Sequence, residues 1–384
     1  MKNIPSKLPE VGTTIFTIMS AMAKEYNAIN LSQGFPDFDS PALLTDLVYA
    51  YMKKGYNQYA PMPGLPALRE QLAQKITRLY PSCTPNADTE ITITAGGTQA
   101  IYTAITALVH AADEVIVLEP CYDCYVPAIQ LCGAVPVYVS LQPPQYRVPW
   151  QEVRSKITAK TRMIIINTPH NPTGSVFTAQ DMAELQNITS GTDILVLSDE
   201  VYEHVIFDDQ LHESILRYPD LYARSIAVFS FGKTFHNTGW KVGYAVAPPY
   251  LTAEIRKVHQ YLVFSVNTPV QYALAEYLQN PEHYLTLPEF YRQKRDLFLQ
   301  LIQGSRFKPL HTSGSYFQLL DYSAIANHKD TDFAVWLTQQ VGVAAIPVSV
   351  FYHQPHTVQD KLLRFCFAKK DQTLEQAAQK LLKL

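Results

Sequence analysis

The sequence predicts an α/β fold: a large domain built on a mostly parallel mixed sheet with helices on both faces, plus a smaller α+β domain. Short apolar runs of strand length recur through the middle of the chain, and they are continuous where a half-exposed sheet would alternate apolar with polar. Segments with helical spacing separate several of them, as the crossovers of a parallel sheet require. A length of 384 residues exceeds what one small core organises, which fits two domains.

Taken in order, the strand-like runs are residues 91–95, 115–118, 135–139, 163–166, 194–197, 226–231 and 242–247. Helical patterns at 100–110 and 179–188 lie between them. After Pro269 the pattern changes: helical spacing at 271–278 and 288–302 is followed by strands at 316–320 and 363–367 around a helix-like 332–340, and an amphipathic helix closes the chain at 373–384. The expected division is an N-terminal arm, residues 1–40, that joins the small domain; a large domain, 41–280; and a small domain, 281–384. In an open α/β sheet, ligands bind beyond the carboxyl ends of the strands.

A hydrophobic fraction of 47% with 17% charged residues indicates a globular chain, and a net charge of −3 offers no field to hold a polyanion, which argues against nucleic acid. No apolar run approaches bilayer length, and the basic first residues lead into no apolar segment, so a soluble, cytoplasmic protein is expected. The five cysteines, an odd number, read as reduced thiols. Cys121 and Cys124 have C-x-x-C spacing, but no second such pair accompanies them; they read as thiols of a structural loop, and no metal is expected.

Two strand ends carry the central chemistry. Lys233, in Ser230-Phe231-Gly232-Lys233-Thr234, follows one apolar run; Asp199, in Ser198-Asp199-Glu200, follows another. An amine and a carboxylate delivered to one sheet edge suit an enzyme that holds a carbonyl cofactor as a Schiff base on lysine and pins its ring nitrogen with aspartate, which is the chemistry of pyridoxal 5'-phosphate. The rival reading of Gly232-Lys233-Thr234 as the tail of a phosphate-binding P-loop needs a glycine five residues before Gly232, where Ala227 stands. Gly96-Gly97-Thr98-Gln99-Ala100 joins a strand to a helix, where free N–H groups and the helix dipole attract a phosphate. Asn171-Pro172-Thr173-Gly174 projects an amide from an extended loop after the strand at 163–166. Asp199 on its own would be a helix cap; with a helical turn starting there, Tyr202 would share its face. Arg364 lies among Leu362, Leu363, Phe365 and Phe367, a buried setting in which an unpaired cation is costly.

Together with Asn30-Leu31-Ser32-Gln33-Gly34-Phe35-Pro36-Asp37-Phe38, Gln58-Tyr59 and residues 230–241, these motifs give the chain its family likeness. It resembles, over almost its whole length, the class I/II aminotransferases of the fold-type I pyridoxal-phosphate superfamily, and within them the group of methionine, kynurenine and glutamine transaminases. The resemblance implies that Lys233 binds the cofactor covalently and then carries a proton, that Asp199 holds the ring nitrogen, and that Asn171 and Tyr202 bind the ring oxygen. It further implies that Gly97, Thr98, Ser230 and Lys241 hold the phosphate, with Tyr59 reaching across from a second subunit of a homodimer, that Gln99 is also among the cofactor-binding residues, and that Tyr122 stacks on the ring. Arg364 would clamp the substrate carboxylate, assisted by Asn171 and the backbone of Gly34.

Phe16, Phe264 and Tyr59 are the implied side-chain pocket, and residues 261–267 contain no arginine for a second carboxylate. A neutral, apolar amino donor is expected, methionine first, with aromatic residues, leucine or glutamine as alternatives, and a 2-oxo acid as acceptor through a pyridoxamine-phosphate intermediate. A cysteine-S-conjugate β-lyase on the same scaffold is the alternative reaction. A non-enzymatic pyridoxal-phosphate-binding regulator, more remote, would need an added DNA-binding segment, and about thirty residues precede the Gly34 motif.

Overall fold

In the computed structural model, residues 4–384 are described; residues 1–3 of the expected arm lie outside the described residues. Helix α1 (Ile15–Glu25) opens on Thr14, whose hydroxyl accepts from Thr17 N. A two-residue strand, β1 (Ile29–Asn30), follows, then helices α2 (Ala42–Lys53) and α3 (Pro66–Leu79).

Seven strands among the described residues form the main sheet: β2 (Ile91–Thr94), β3 (Glu114–Glu119), β4 (Val135–Ser140), β5 (Thr161–Asn167), β6 (Leu195–Asp199), β7 (Ser225–Ser230) and β8 (Gly243–Val246). Their order is β2-β8-β7-β6-β5-β3-β4. Pairings among β3 to β7 are parallel, whereas β8 runs antiparallel to both β2 and β7. Burial on both faces explains the continuous apolar runs. Ile164, Ile166 and Val196 join one core with α3 and the helix Thr268–Tyr277. Their neighbours Met163, Ile165, Leu195 and Leu197 point the other way, into a core with helix α4 (Gly97–Leu108) and the helix Pro249–Leu262.

A second, antiparallel sheet, β12-β13-β10-β9, is made by β9 (Lys308–Pro309), β10 (Phe317–Asp321), β12 (Ile346–Pro347) and β13 (Leu362–Cys366). β11 (Val343–Ala344) pairs in parallel with β1. The helix expected at 332–340 runs Asp330–Trp336 and loosens into a π-helical turn, Leu337–Val341. Met19 and Ala23 of α1 and Leu31 after β1 share a core with the helices Leu287–Leu301 and Asp371–Leu381, so the N-terminal segment packs with the C-terminal part of the chain. The parallel registers Asn167↔Asp199 and Asp199↔Val228 bring the ends of β5, β6 and β7 to one edge, where the chemistry-bearing residues gather.

Candidate active site

A cavity opens at that edge, and it is lined by Phe16, Gly34, Gly97, Thr98, Tyr122, Asn171, Asp199, Tyr202, Ser230, Lys233, Lys241 and Arg364 among others. Most of the residues singled out in the sequence therefore meet in one place. Asp199 ends β6 and is 3% exposed; its Oδ2 accepts from Tyr125 Oη at 2.6 Å and its Oδ1 from Val201 N at 3.3 Å. Burial pushes its carboxyl up to about 6, opposed by the Tyr125 and Val201 hydrogen bonds and by the charge of Lys233. Lys233 follows β7 in a single helical turn, Phe231–Thr234, and burial lowers its amine to about 8. That amine donates to Gly34 O and to Tyr316 Oη, both at 3.0 Å. An amine lowered to about 8 keeps a neutral fraction at neutral pH that an ordinary lysine lacks, which makes it a competent nucleophile and proton carrier.

The start of α4 is shaped to receive an anion. Gly96 has φ of +83°, and a Cβ there would lie 3.4 Å from Lys241 Nζ. A Cβ on Gly243 would meet Phe229 O at 2.5 Å and Gly97 N at 3.1 Å, so glycine in β8 is what lets the turn lie against the sheet. Lys241 itself holds a left-handed φ of 54°, uncommon for a side-chain-bearing residue, next to this cradle. Free N–H groups of a twelve-residue helix, a lysine ammonium and the Ser230 hydroxyl form a suitable donor set for a phosphate dianion.

Arg364, in the centre of β13, is 1% exposed. Its Nη1 donates to Asn171 Oδ1 at 2.7 Å and its Nη2 to Ser32 O at 3.1 Å, while its guanidinium lies 3.9 Å from the ring centroid of Phe317. Burial lowers it to about 10, so it remains a cation at neutral pH. Among the described residues no carboxylate lies within ion-pair distance of it, and its Nε has no partner. Such a group can take a carboxylate from a ligand. Asn171 is fixed in turn: Asn167 Oδ1 accepts from Asn171 N at 2.8 Å, and Asn167 Nδ2 donates to Asp199 O at 2.9 Å.

Several expectations need correction. Gln99 is absent from the cavity lining; its Oε1 accepts from Ala95 N at 2.8 Å and its Nε2 meets Thr103 Oγ1 and His259 Nδ1, so it braces the turn from behind. No helix starts at Asp199. Successive turns, Glu203 N to Glu200 O and Val205 N to Tyr202 O, nevertheless bring Tyr202 to the cavity. Gly34 does line the cavity, where its carbonyl accepts from Lys233, and Ser32 O accepts from Arg364. Phe264 does not line this chain's own cavity; it is 44% exposed and meets, edge to face at 5.4 Å, the 82% exposed Tyr59, which was expected to serve a second subunit. The sequence reading missed Tyr125, Tyr316, Phe317, Ser32 and Asn167. Tyr125 lies three residues after Tyr122, and that helical spacing was its one available signal.

The family described as aminotransferase class I and II matches residues 26–381. Methionine aminotransferase of Escherichia coli is 55% identical over 99% of this chain and 98% of its own length. The solved structure of YbdL from Escherichia coli, reported with a methionine aminotransferase function, superposes with a TM-score of 0.97 at 55% identity, covering 100% of both chains. A kynurenine–oxoglutarate transaminase of Dictyostelium discoideum is 33% identical over 99% of this chain and 96% of its own. The chain belongs to the class I and II aminotransferases. It is a pyridoxal 5'-phosphate-dependent transaminase of fold type I, and the residues of the cavity fit that cofactor: an amine, a buried carboxylate and a phosphate cradle.

Proposed function

We propose that the chain moves the α-amino group of a neutral, apolar amino acid, methionine foremost, to a 2-oxo acid. The observation that carries this is Arg364, a buried guanidinium with an unpartnered Nε and no second arginine beside it among the described cavity residues. One carboxylate is matched there. A second would be stripped of water against Phe16, Phe317 and Tyr122 with no cation to meet it, while a thioether packs well against aromatic rings. The 55% identity to a protein named methionine aminotransferase supports the same donor.

Pyridoxal 5'-phosphate, when bound, supplies a carbonyl that condenses with amines and a ring that accepts the electron pair released at the substrate's α-carbon. Arg364, oriented by Asn171, holds the substrate carboxylate so that the α-hydrogen faces Lys233, and Lys233 Nζ takes that proton. Asp199 supplies negative charge at the ring nitrogen, and Tyr125 keeps that carboxylate oriented. Asn171 and Tyr202 would hold the ring oxygen, Tyr122 would cover the ring face, and Gly97, Thr98, Ser230 and Lys241 would hold the phosphate.

The exposed patch of Tyr59, Tyr261, Leu262 and Phe264 supports a homodimer in which Tyr59 and Phe264 complete the partner's site. The contacts of α1 and β1 support residues 1–40 belonging with 281–384, and 41–280 forming the large domain. Five free cysteines support a reducing, cytoplasmic setting. The test is a panel of amino donors with several 2-oxo acids on the cofactor-loaded protein. Methionine should rank first in kcat/KM; a preference for aspartate would overturn the substrate assignment.

A further inference from the structure

The Lys233 amine is one corner of a closed triangle. It lies 3.0 Å from Gly34 O and 3.0 Å from Tyr316 Oη, and Tyr316 Oη lies 2.6 Å from the same carbonyl. Tyr316 is fully buried, and burial holds its phenol neutral by raising it well above the usual range. A neutral phenol has one proton; the short edge to a carbonyl, which only accepts, means that the Tyr316 hydroxyl donates this proton's hydrogen bond to Gly34 O. The lone pairs of Tyr316 Oη are then left for Lys233, which donates to both oxygens.

We propose that Tyr316 and the Gly34 carbonyl form a perch that holds the Lys233 amine whenever it is not bonded to the cofactor, with Tyr316 as the positioning residue. The inference rests on the proton-carrying role of Lys233 given above. A released lysine has a flexible four-carbon stem and a strongly hydrated head, and inside a cavity it needs defined partners to return to one place. Two neutral acceptors supply these, and neither is an anion that would lock the amine as an ammonium ion.

The perch also depends on the N-terminal segment. A Cβ on Gly34 would stand 2.7 Å from Phe317 Cζ, so the Gly34 loop seats directly on the Tyr316-Phe317 pair. Ser32 O, two residues before, accepts from Arg364. The same short stretch thus touches both the amine and the carboxylate-binding guanidinium, and the perch is complete only with that stretch in place.

Tyr316→Phe removes the hydroxyl and keeps the ring against Tyr202, Phe317 and Tyr291. In the cofactor-free protein, competitive acylation of Lys233 across pH, read on the isolated peptide by mass spectrometry, should show half-reactivity near 8 in the wild type. Losing one acceptor disfavours the charged amine, so the variant's inflection should fall by about one unit. In the loaded enzyme, kcat for methionine should drop about fivefold to twentyfold with KM nearly unchanged, as expected when a group acting on the chemical step is misplaced. An unchanged inflection, or a loss confined to KM, would overturn the perch. Failure of the underlying reading looks different: Lys233→Ala would then keep the visible band of bound cofactor, whatever Tyr316→Phe does.

Discussion

Arg364 Nη1 donates to Asn171 Oδ1 at 2.7 Å, and the same guanidinium leaves its Nε without a hydrogen-bond partner in a fully buried setting. The guanidinium is a buried cation without a counter-charge, and in the proposed role it offers its charge to a substrate carboxylate. Replacing Arg364 by Ala should lower kcat/KM for methionine by about a hundredfold or more, as for a truncated charge pair in a buried site. Arg364→Lys should recover little of it, since an ammonium has no fork. Asn171→Ala should cost less and act on KM and kcat together; steady-state kinetics with methionine checks all three.

Asp199 makes an acid–base prediction whose sign can be worked through. Its carboxyl is raised from 3.8 to about 6 in the folded protein, so the native state holds a proton that the unfolded state has released. Stability from this group is full below the unfolded value and is lost as pH rises through about 6. Asp199→Asn removes the dependence. Relative to wild type, the cofactor-free variant should gain about 3 kcal/mol between pH 3.5 and pH 7.5, while losing transaminase activity. Urea unfolding of both proteins at the two pH values measures the difference, and an equal difference at both would refute it.

Lys233 gives a second pH dependence of opposite consequence. Its ammonium form predominates below about 8, and only the neutral amine can attack a carbonyl. The rate at which the cofactor-free protein binds pyridoxal 5'-phosphate covalently should therefore rise with pH through about 8 and level off above it. Stopped-flow absorbance of the visible band reads this directly, and Lys233→Ala should show no band.

Several residues legible from sequence close a strand or sit in the turn that follows one, so local pattern alone places them at the sheet edge, whereas Arg364, inside β13, was legible from its apolar neighbours. Asn171, Asp199, Lys233 and the Gly96-Gly97 turn are of the first kind. Tyr316 and Tyr125 were not legible, because they matter through contacts with residues 83 and 74 positions away. Gln99 was misplaced because the first turn of a helix presents side chains both to the ligand and to the layer behind it, and its partner there is His259. Strand direction was also hidden: the run at 242–247 is as apolar as its parallel neighbours, and β8 runs the other way.

Beneath the turn that carries Asp199 and Tyr202 lies a buried ion pair, Lys75 of α3 with Glu203, which also accepts from Tyr80 Oη at 3.1 Å and Tyr244 Oη at 3.2 Å. Both side chains are under 5% exposed. Burial opposes the charge on Glu203, yet Lys75 beside it holds the carboxyl well below the usual range; Lys75 in turn is lowered by burial against the pull of Glu203. The pair ties α3 to the residue that follows Tyr202, across 128 positions of sequence. Lys75→Met removes the cation and strands a carboxylate, which costs about 3 to 5 kcal/mol in such settings. Its effect should reach the cavity, lowering kcat as the turn shifts. In Lys75→Met with Glu203→Gln neither member of the pair leaves a stranded charge, and the two phenols still have an acceptor in the amide oxygen. Most of the lost stability should return, and kcat should return with it if the turn is held by packing and the phenols. A double variant that stays as unstable as the single one would show that the ionic contact itself, and not relief of a stranded charge, holds the floor of the site.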